Sequence, residues 1–179
     1  MSALGGLVPI VVMGVSGAGK SLIGSLLAER IDGTFIDADD LHSVEATTKM
    51  GSGIPLTDDD RWPWLDRVGA RLAEDVARGT RPVVACSALR RAYRDRLRGT
   101  VAGPILFVLL RGTRDVLEKR LDARAGHFMP ATLLDSQLRT LEEFAPDESG
   151  IIVSIDRAPE SIVEAIIDRA LRRPVRTLT

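Results

Sequence analysis

Cysteine is all but missing from this 179-residue chain: Cys86 stands alone, which excludes an intramolecular disulfide and any thiolate metal cluster built by one chain. A reducing, cytoplasmic setting is therefore expected. Aromatic residues are scarce, 4 % with a single tyrosine, so there is little from which to build the stacking platform that single-stranded nucleic acid uses. Neither sign of charge predominates: the formal net charge is −1, whereas attraction of a phosphate backbone needs a clear basic excess. Long apolar runs are also lacking. Leu7 to Met13 falls far short of the roughly 20 residues that cross a bilayer, and it has neither a basic leader nor a small-residue cleavage site. We expect no nucleic-acid partner and no membrane partner, and we read Leu7 to Met13 as a first core strand.

What is present is the composition of a globular protein, 45 % hydrophobic and 27 % charged, long enough for one ordinary domain, residues 1–179. Val8–Met13 is a continuous apolar run bounded by glycines, as expected of a parallel strand buried on both faces. Thr34–Asp37, Pro82–Cys86, Ile105–Leu110 and Ile151–Ile155 make five strands in all. Helical spacing fills the intervals: Lys20–Arg30, about Leu41–Met50, Asp59–Arg78, Arg91–Arg98, Arg114–Arg124, Pro130–Glu143 and Pro159–Arg172. Alternating strands and helices predict an α/β fold, a three-layer α/β/α sandwich around a five-stranded parallel sheet with right-handed crossovers. Function is then expected in loops at the carboxyl ends of the strands.

Gly14-Val15-Ser16-Gly17-Ala18-Gly19-Lys20-Ser21 satisfies the pattern G-x-x-x-x-G-K-S/T between a buried strand and a helix, the context that gives the match its meaning. Glycines at 14, 17 and 19 let backbone N–H groups turn inward around an anion, and the following helix adds its positive end. Gly14, Ser16, Gly17, Ala18, Gly19 and Lys20 are read as the ATP-phosphate cradle, with Lys20 on the β- and γ-phosphates and Ser21 on Mg²⁺. A cradle of this kind identifies triphosphate binding but leaves the reaction open.

Asp37-Ala38-Asp39-Asp40-Leu41-His42 follows the second strand. Strand alternation would put Asp37 and Asp39 on one side. We assign Asp37 to Mg²⁺ and Asp39 to the base that takes the proton of an attacking hydroxyl; the competing reading is that these aspartates cap the next helix. The third strand runs into Ser87 rather than an acidic residue, unlike motor-type P-loop proteins, and this favours a small-molecule kinase.

Four stretches make the assignment more specific: the cradle; Asp37 to His42 with Lys49-Met50 and Gly53 to Arg61; Cys86 to Asp95; and His127-Phe128-Met129 followed by Ser136-Gln137. With these, the chain resembles the gluconate kinase family over nearly its whole length. The resemblance implies ATP-dependent phosphorylation of D-gluconate at its 6-hydroxyl, a fold like that of shikimate kinase, commonly a homodimer, and Asp39 as the acceptor-site carboxylate. The chain departs from the family pattern at Ser43-Val44-Glu45-Ala46, where proline and asparagine are usual, and at Arg90 and Arg91, where lysine is frequent. Shikimate, another sugar acid or a nucleoside as acceptor, and an ATP-binding regulator without turnover, stay open as alternatives.

Gluconate is an anion, so its pocket needs a cation beyond those spent on ATP, and guanidinium can bind both carboxylate oxygens. Arg61 and Arg91 are our choices, with His42, Lys49 and His127 as polar or cationic support; Arg61 could equally be a surface residue paired with Asp58 or Asp60. Tyr93 is read as packing or a hydroxyl donor, and Cys86 as a small core residue. The segment at about 120–130, Arg120 to Pro130, starts on a helix and ends in a loop punctuated by glycine and proline, as a mobile lid would. Arg124 is the preferred arginine for the transferred phosphoryl group, with Arg120 the alternate on the nucleotide; either could instead be a basic residue at the negative end of a helix.

Overall fold

A computed structural model describes residues 8–123 and 131–172. Five strands, β1 (Ile10–Met13), β2 (Thr34–Asp37), β3 (Pro82–Ala85), β4 (Leu106–Arg111) and β5 (Gly150–Ser154), form one parallel sheet in the order β2-β3-β1-β4-β5. The helices are α1 (Lys20–Arg30), α2 (Val44–Gly51), α3 (Asp58–Ala77), α4 (Arg91–Arg98), α5 (Arg114–Asp122), α6 (Ala131–Thr140) and α7 (Pro159–Arg172).

The central strand explains the sheet. Ile10 and Val12 of β1 join a core that includes Leu27 of α1 and Ile162 and Ile166 of α7. Val11 and Met13, pointing the other way, join Leu65 and Leu72 of α3 and Leu97 of α4. β4 repeats the division, with Val108 and Leu110 on the first face and Phe107 and Leu109 on the second. A strand buried on both faces has no polar alternation, which is why these runs read as uninterrupted apolar sequence. Helices cover both faces, giving the three-layer fold expected.

The boundaries differ from the sequence reading where side chains bond to local backbone. Asp37 accepts a hydrogen bond from the Asp39 N–H and starts a single 3₁₀ turn, Ala38–Leu41, so strand alternation does not extend to Asp39. The helix expected from Leu41 begins at Val44 because Ser43 accepts from the Ala46 N–H and caps it. That gives Ser43 a structural role at a position where the chain departs from the pattern it otherwise resembles. α3 begins one residue early, at Asp58, with a capping box between Thr57 and Asp60, a reciprocal closure of two otherwise unpaired N–H groups.

Candidate active site

The parallel arrangement brings the carboxyl ends of β1, β2 and β3 to one edge, each followed by a loop named above. After β1 the chain makes the cradle. Gly14 has φ +144°, and a Cβ there would lie 2.9 Å from the Leu110 carbonyl oxygen; Gly17 has φ +82°, and a Cβ there would lie 2.9 Å from that of Leu117. Both the backbone conformation and the space demand glycine. Lys20 Nζ donates to the Val15 carbonyl at 3.1 Å, which folds the ammonium back over the loop. Arg120 lies alongside: its Nη1 is 3.6 Å from where a Gly19 Cβ would be, and its Nη2 donates to Ile155 O at 2.8 Å.

A chain of hydrogen bonds links the cradle to the acidic loop. Ser21 Oγ donates to Asp37 Oδ2 at 2.6 Å, and the Asp39 N–H donates to Asp37 Oδ1 at 3.1 Å. Asp37 thus stands behind Ser21 and holds the turn that presents Asp39. The Asp39 side chain is 81 % exposed, open to solvent on one side. Its carboxyl is nevertheless pushed above the ordinary 3.8, first by the surrounding protein and then by Asp37, with Lys20 pulling the other way. A raised pKa makes a better proton acceptor.

His42 lies behind Asp39, its Nε2 3.9 Å from Oδ1, with a side chain only 4 % exposed. The ring stacks on Trp64 at 4.3 Å, and the Trp64 indole N–H donates to Ala38 O at 2.7 Å. Its Nδ1 is buried without a hydrogen-bond partner. Burial pushes its pKa below 6.5 against the pull of Asp39, and Arg67 and Arg61 push it further. Of the polar or cationic support expected of His42, the lowered pKa favours the polar form.

A second cluster of polar side chains joins α3 to the start of α4. Tyr93 OH donates to Asp58 Oδ1 at 2.5 Å, Arg61 Nη1 donates to Tyr93 OH at 3.2 Å, and Arg90 Nη1 donates to Asp58 Oδ2 at 2.7 Å. Arg61 therefore belongs to this cluster. Arg91 does not. Its guanidinium is held on both nitrogens by Asp147, at 2.8 and 2.7 Å, with Asp95 at 3.4 Å, so its donors are spent on carboxylates outside the cluster. Lys49 Nζ is 2.7 Å from Asp60 Oδ1 and ties α2 to α3; this hydrogen bond, then those from Thr57, bring Asp60 down to about 2. Arg124 and His127 lie outside the described residues.

The remaining arginines of the basic run are each matched. Arg96 is bidentate on Asp66 at 2.6 and 2.9 Å, and Arg94 is bidentate on Glu148 at 2.8 and 2.6 Å. Cys86 is buried, and burial pushes its thiol up to about 12, which suits a core residue and not a nucleophile.

A family model described as an AAA domain matches residues 10–144. A gluconokinase of Gluconobacter oxydans (strain 621H) is 46 % identical over 158 residues, covering 88 % of this chain and 88 % of that protein. This chain belongs to the gluconokinase family. The solved structure of a gluconokinase from Sinorhizobium meliloti 1021 matches with a TM-score of 0.85 and 46 % identity, covering 93 % of each chain. A shikimate kinase from Aquifex aeolicus vf5, at 16 % identity and a TM-score of 0.53 over 90 % of this chain and 94 % of that one, shares the fold.

In this member of the gluconokinase family two residues joined to these loops are not singled out by the sequence. Arg90, passed over for its neighbour Arg91, is the one that reaches Asp58. Gln137 of α6 accepts from the cradle's Ser16 N–H at 2.7 Å. The pair Ser136-Gln137 was noted as a motif, but contact with a loop 121 residues away leaves no local signal.

Proposed function

We infer that the protein is a gluconokinase, transferring the γ-phosphoryl group of ATP to the 6-hydroxyl of D-gluconate. The observation that supports this reading is the hydrogen-bonded path Ser21–Asp37–Asp39, which ties a carboxylate of raised pKa to the phosphate cradle. Lys20 and the cradle N–H groups bind the β- and γ-phosphates. Asp39 orients the 6-hydroxyl and accepts its proton as the new O–P bond forms and the bond to the β,γ-bridging oxygen breaks. Arg61 and Arg90 receive the carboxylate at the other end of the acceptor. Lys49 and His42 give polar support beside it, and Arg91 holds the loop through Asp147.

Mg²⁺, when bound, neutralises charge on the phosphates. Ser21 would hold it, with Asp37 behind; both are hard oxygen donors, the kind it takes. Among the described residues no group of three His, Cys, Asp or Glu could hold a metal. That fits a cation which draws most of its ligands from phosphate and water. Arg120, already against the cradle, serves the nucleotide, and Arg124 on a closing lid of about residues 120–130 serves the transferred group. Among the described residues no helix is long and apolar enough to cross a membrane. A cytoplasmic homodimer is the working form, the dimer resting on the family resemblance and open to test by sedimentation.

Coupled ADP release over a panel of gluconate, shikimate, other sugar acids and nucleosides tests the activity. Gluconate is expected to stimulate most, with 6-phosphogluconate identified by phosphorus NMR. Stimulation by another acceptor and none by gluconate would overturn the acceptor. ATP binding with no turnover on any acceptor would mark a nucleotide-binding regulator instead.

A further inference from the structure

We propose that Gln137 is a positioning residue for Lys20, acting through the one peptide unit that both side chains hold. The proposal deepens the kinase reading and rests on Lys20 binding the β- and γ-phosphates.

The Val15–Ser16 peptide is gripped at both ends. Its carbonyl oxygen accepts from Lys20 Nζ at 3.1 Å and from the Ala18 N–H at 3.2 Å, and its N–H donates to Gln137 Oε1 at 2.7 Å. A trans peptide is planar, with its C=O and N–H directed opposite ways, so Gln137 holds the loop from the side away from the ammonium. Rotating this peptide would break both contacts at once. Hydrogen bonds at the two ends of one amide also polarise it, each strengthening the other.

Docking of α6 does not need the bond from Ser16. Leu134 is 1 % exposed within the core, Asp135 takes Arg114 Nε at 2.8 Å, and just beyond the helix the Glu142 N–H donates to Leu89 O at 2.8 Å. Gln137 lies between these anchors, half-buried. The neighbouring part of the cradle is steadied by packing instead: a Cβ at Gly17 would lie 2.9 Å from Leu117 O and 3.0 Å from Leu121 Cγ of α5. Packing limits where Gly17 sits but does not choose the direction of the peptide before Ser16. A directional acceptor does.

The consequence falls on the lysine. Its ammonium is a point charge on a flexible four-carbon stem, which the Val15 carbonyl can hold only if that carbonyl is itself fixed. With Gln137 on the far side of the peptide, Lys20 is folded over the loop before nucleotide arrives, and less side-chain freedom remains to be lost on binding.

Gln137→Met keeps the length of the side chain and removes the acceptor. Affinity for MgATP without gluconate, measured by nucleotide titration, should fall about tenfold; turnover should fall by a similar factor, with the gluconate KM within about twofold of wild type. In a Lys20→Met background, itself weakened for MgATP, the same substitution should change the affinity by less than about twofold, because the group it positions is gone. If Gln137 merely holds the loop or α6 in place, the loss of about tenfold persists without Lys20, and that result overturns the proposal. Should Gln137→Met fail to fold, Gln137→Glu decides: it keeps an oxygen for the Ser16 N–H, so MgATP affinity should stay within about threefold of wild type, and a larger loss overturns the proposal. Lys20→Met binding MgATP as tightly as wild type would instead overturn the assignment of Lys20 on which the proposal stands.

Discussion

Two arginine–carboxylate clusters flank α4, and they are built to opposite ends. At its start, Arg90 meets Asp58 in a partly exposed group. One turn further on, Arg94 is 0 % exposed and its partner Glu148 2 %. Glu148 also accepts from Arg98 at 2.9 Å and from the Ala145 N–H at 3.1 Å, while Arg94 Nη1 donates to Glu142 O at 3.0 Å. A sealed pair with its hydrogen bonds filled by protein can only be structural; a pair left in contact with water can exchange partners with a ligand. The two are connected, because Arg94 Nη1 also lies 3.4 Å from Ala88 O and 3.5 Å from Leu89 O, carbonyls of the loop that delivers Arg90. Ala88 in that loop has φ +41°, a conformation disfavoured for a residue with a side chain, and the buried pair sits beneath it.

The largest expected effect lies on the cleft side of this contrast. Asp39→Asn should lower gluconate-dependent turnover about 1000-fold, within the usual range for losing a general base, while ATP affinity by nucleotide titration changes by less than about threefold. Because the Asp39 carboxyl is raised above 3.8, the acid limb of the rate profile in wild type should lie above that value; a limb at or below it would count against Asp39 as the base.

Next comes the sealed pair. Glu148→Ala leaves Arg94 charged and unpaired in the core and should cost about 3 to 5 kcal/mol of stability by chemical denaturation. Burial alone would raise the Glu148 carboxyl, but the hydrogen bonds from Arg94, Ala145 and Arg98 outweigh it and bring it from 4.5 down to about 2. The folded-state value is depressed, so this stabilisation is complete above pH 4.5 and is lost as pH falls toward about 2. Glu148→Gln should flatten that part of the stability–pH curve, and an unchanged curve would refute the assignment.

Arg61→Ala is smaller and of the other kind. The gluconate KM should rise about tenfold, equivalent to about 1.4 kcal/mol, with denaturation midpoints nearly unmoved. Arg91→Ala should do least: its Asp147 pair is exposed, so the loss should stay below about 1 kcal/mol, with the gluconate KM within about twofold. A KM effect as large as that of Arg61→Ala would return Arg91 to the acceptor pocket and erase the distinction between it and Arg90.

Much of the fold was legible because its causes are local. Val8–Met13 and Ile105–Leu110 are apolar without alternation, a pattern that implies burial on both faces, and the structure puts β1 and β4 side by side at the centre of the sheet. The cradle was legible for the same reason: three glycines, a lysine and a serine act through backbone conformation within eight residues of each other. The path from Asp37 to Asp39 was half legible. Both aspartates could be named, but alternation was the wrong geometry, since a side chain bonding its own backbone two residues on ends the strand.

The sequence by itself determined the order of strands and helices, the phosphate cradle, the acidic loop and the chemistry those residues can perform, because each follows from side chains and backbone that are neighbours in the chain. Only the tertiary structure decided which carboxylate each arginine of a run of five meets. Arg90, Arg91 and Arg94 are alike as residues and differ in what lies opposite: Asp58 from α3, Asp147, and Glu148 in the core. Those partners are between 32 and 56 residues away, so charge pairing, burial and function at these positions are set by packing, which no local pattern of sequence encodes.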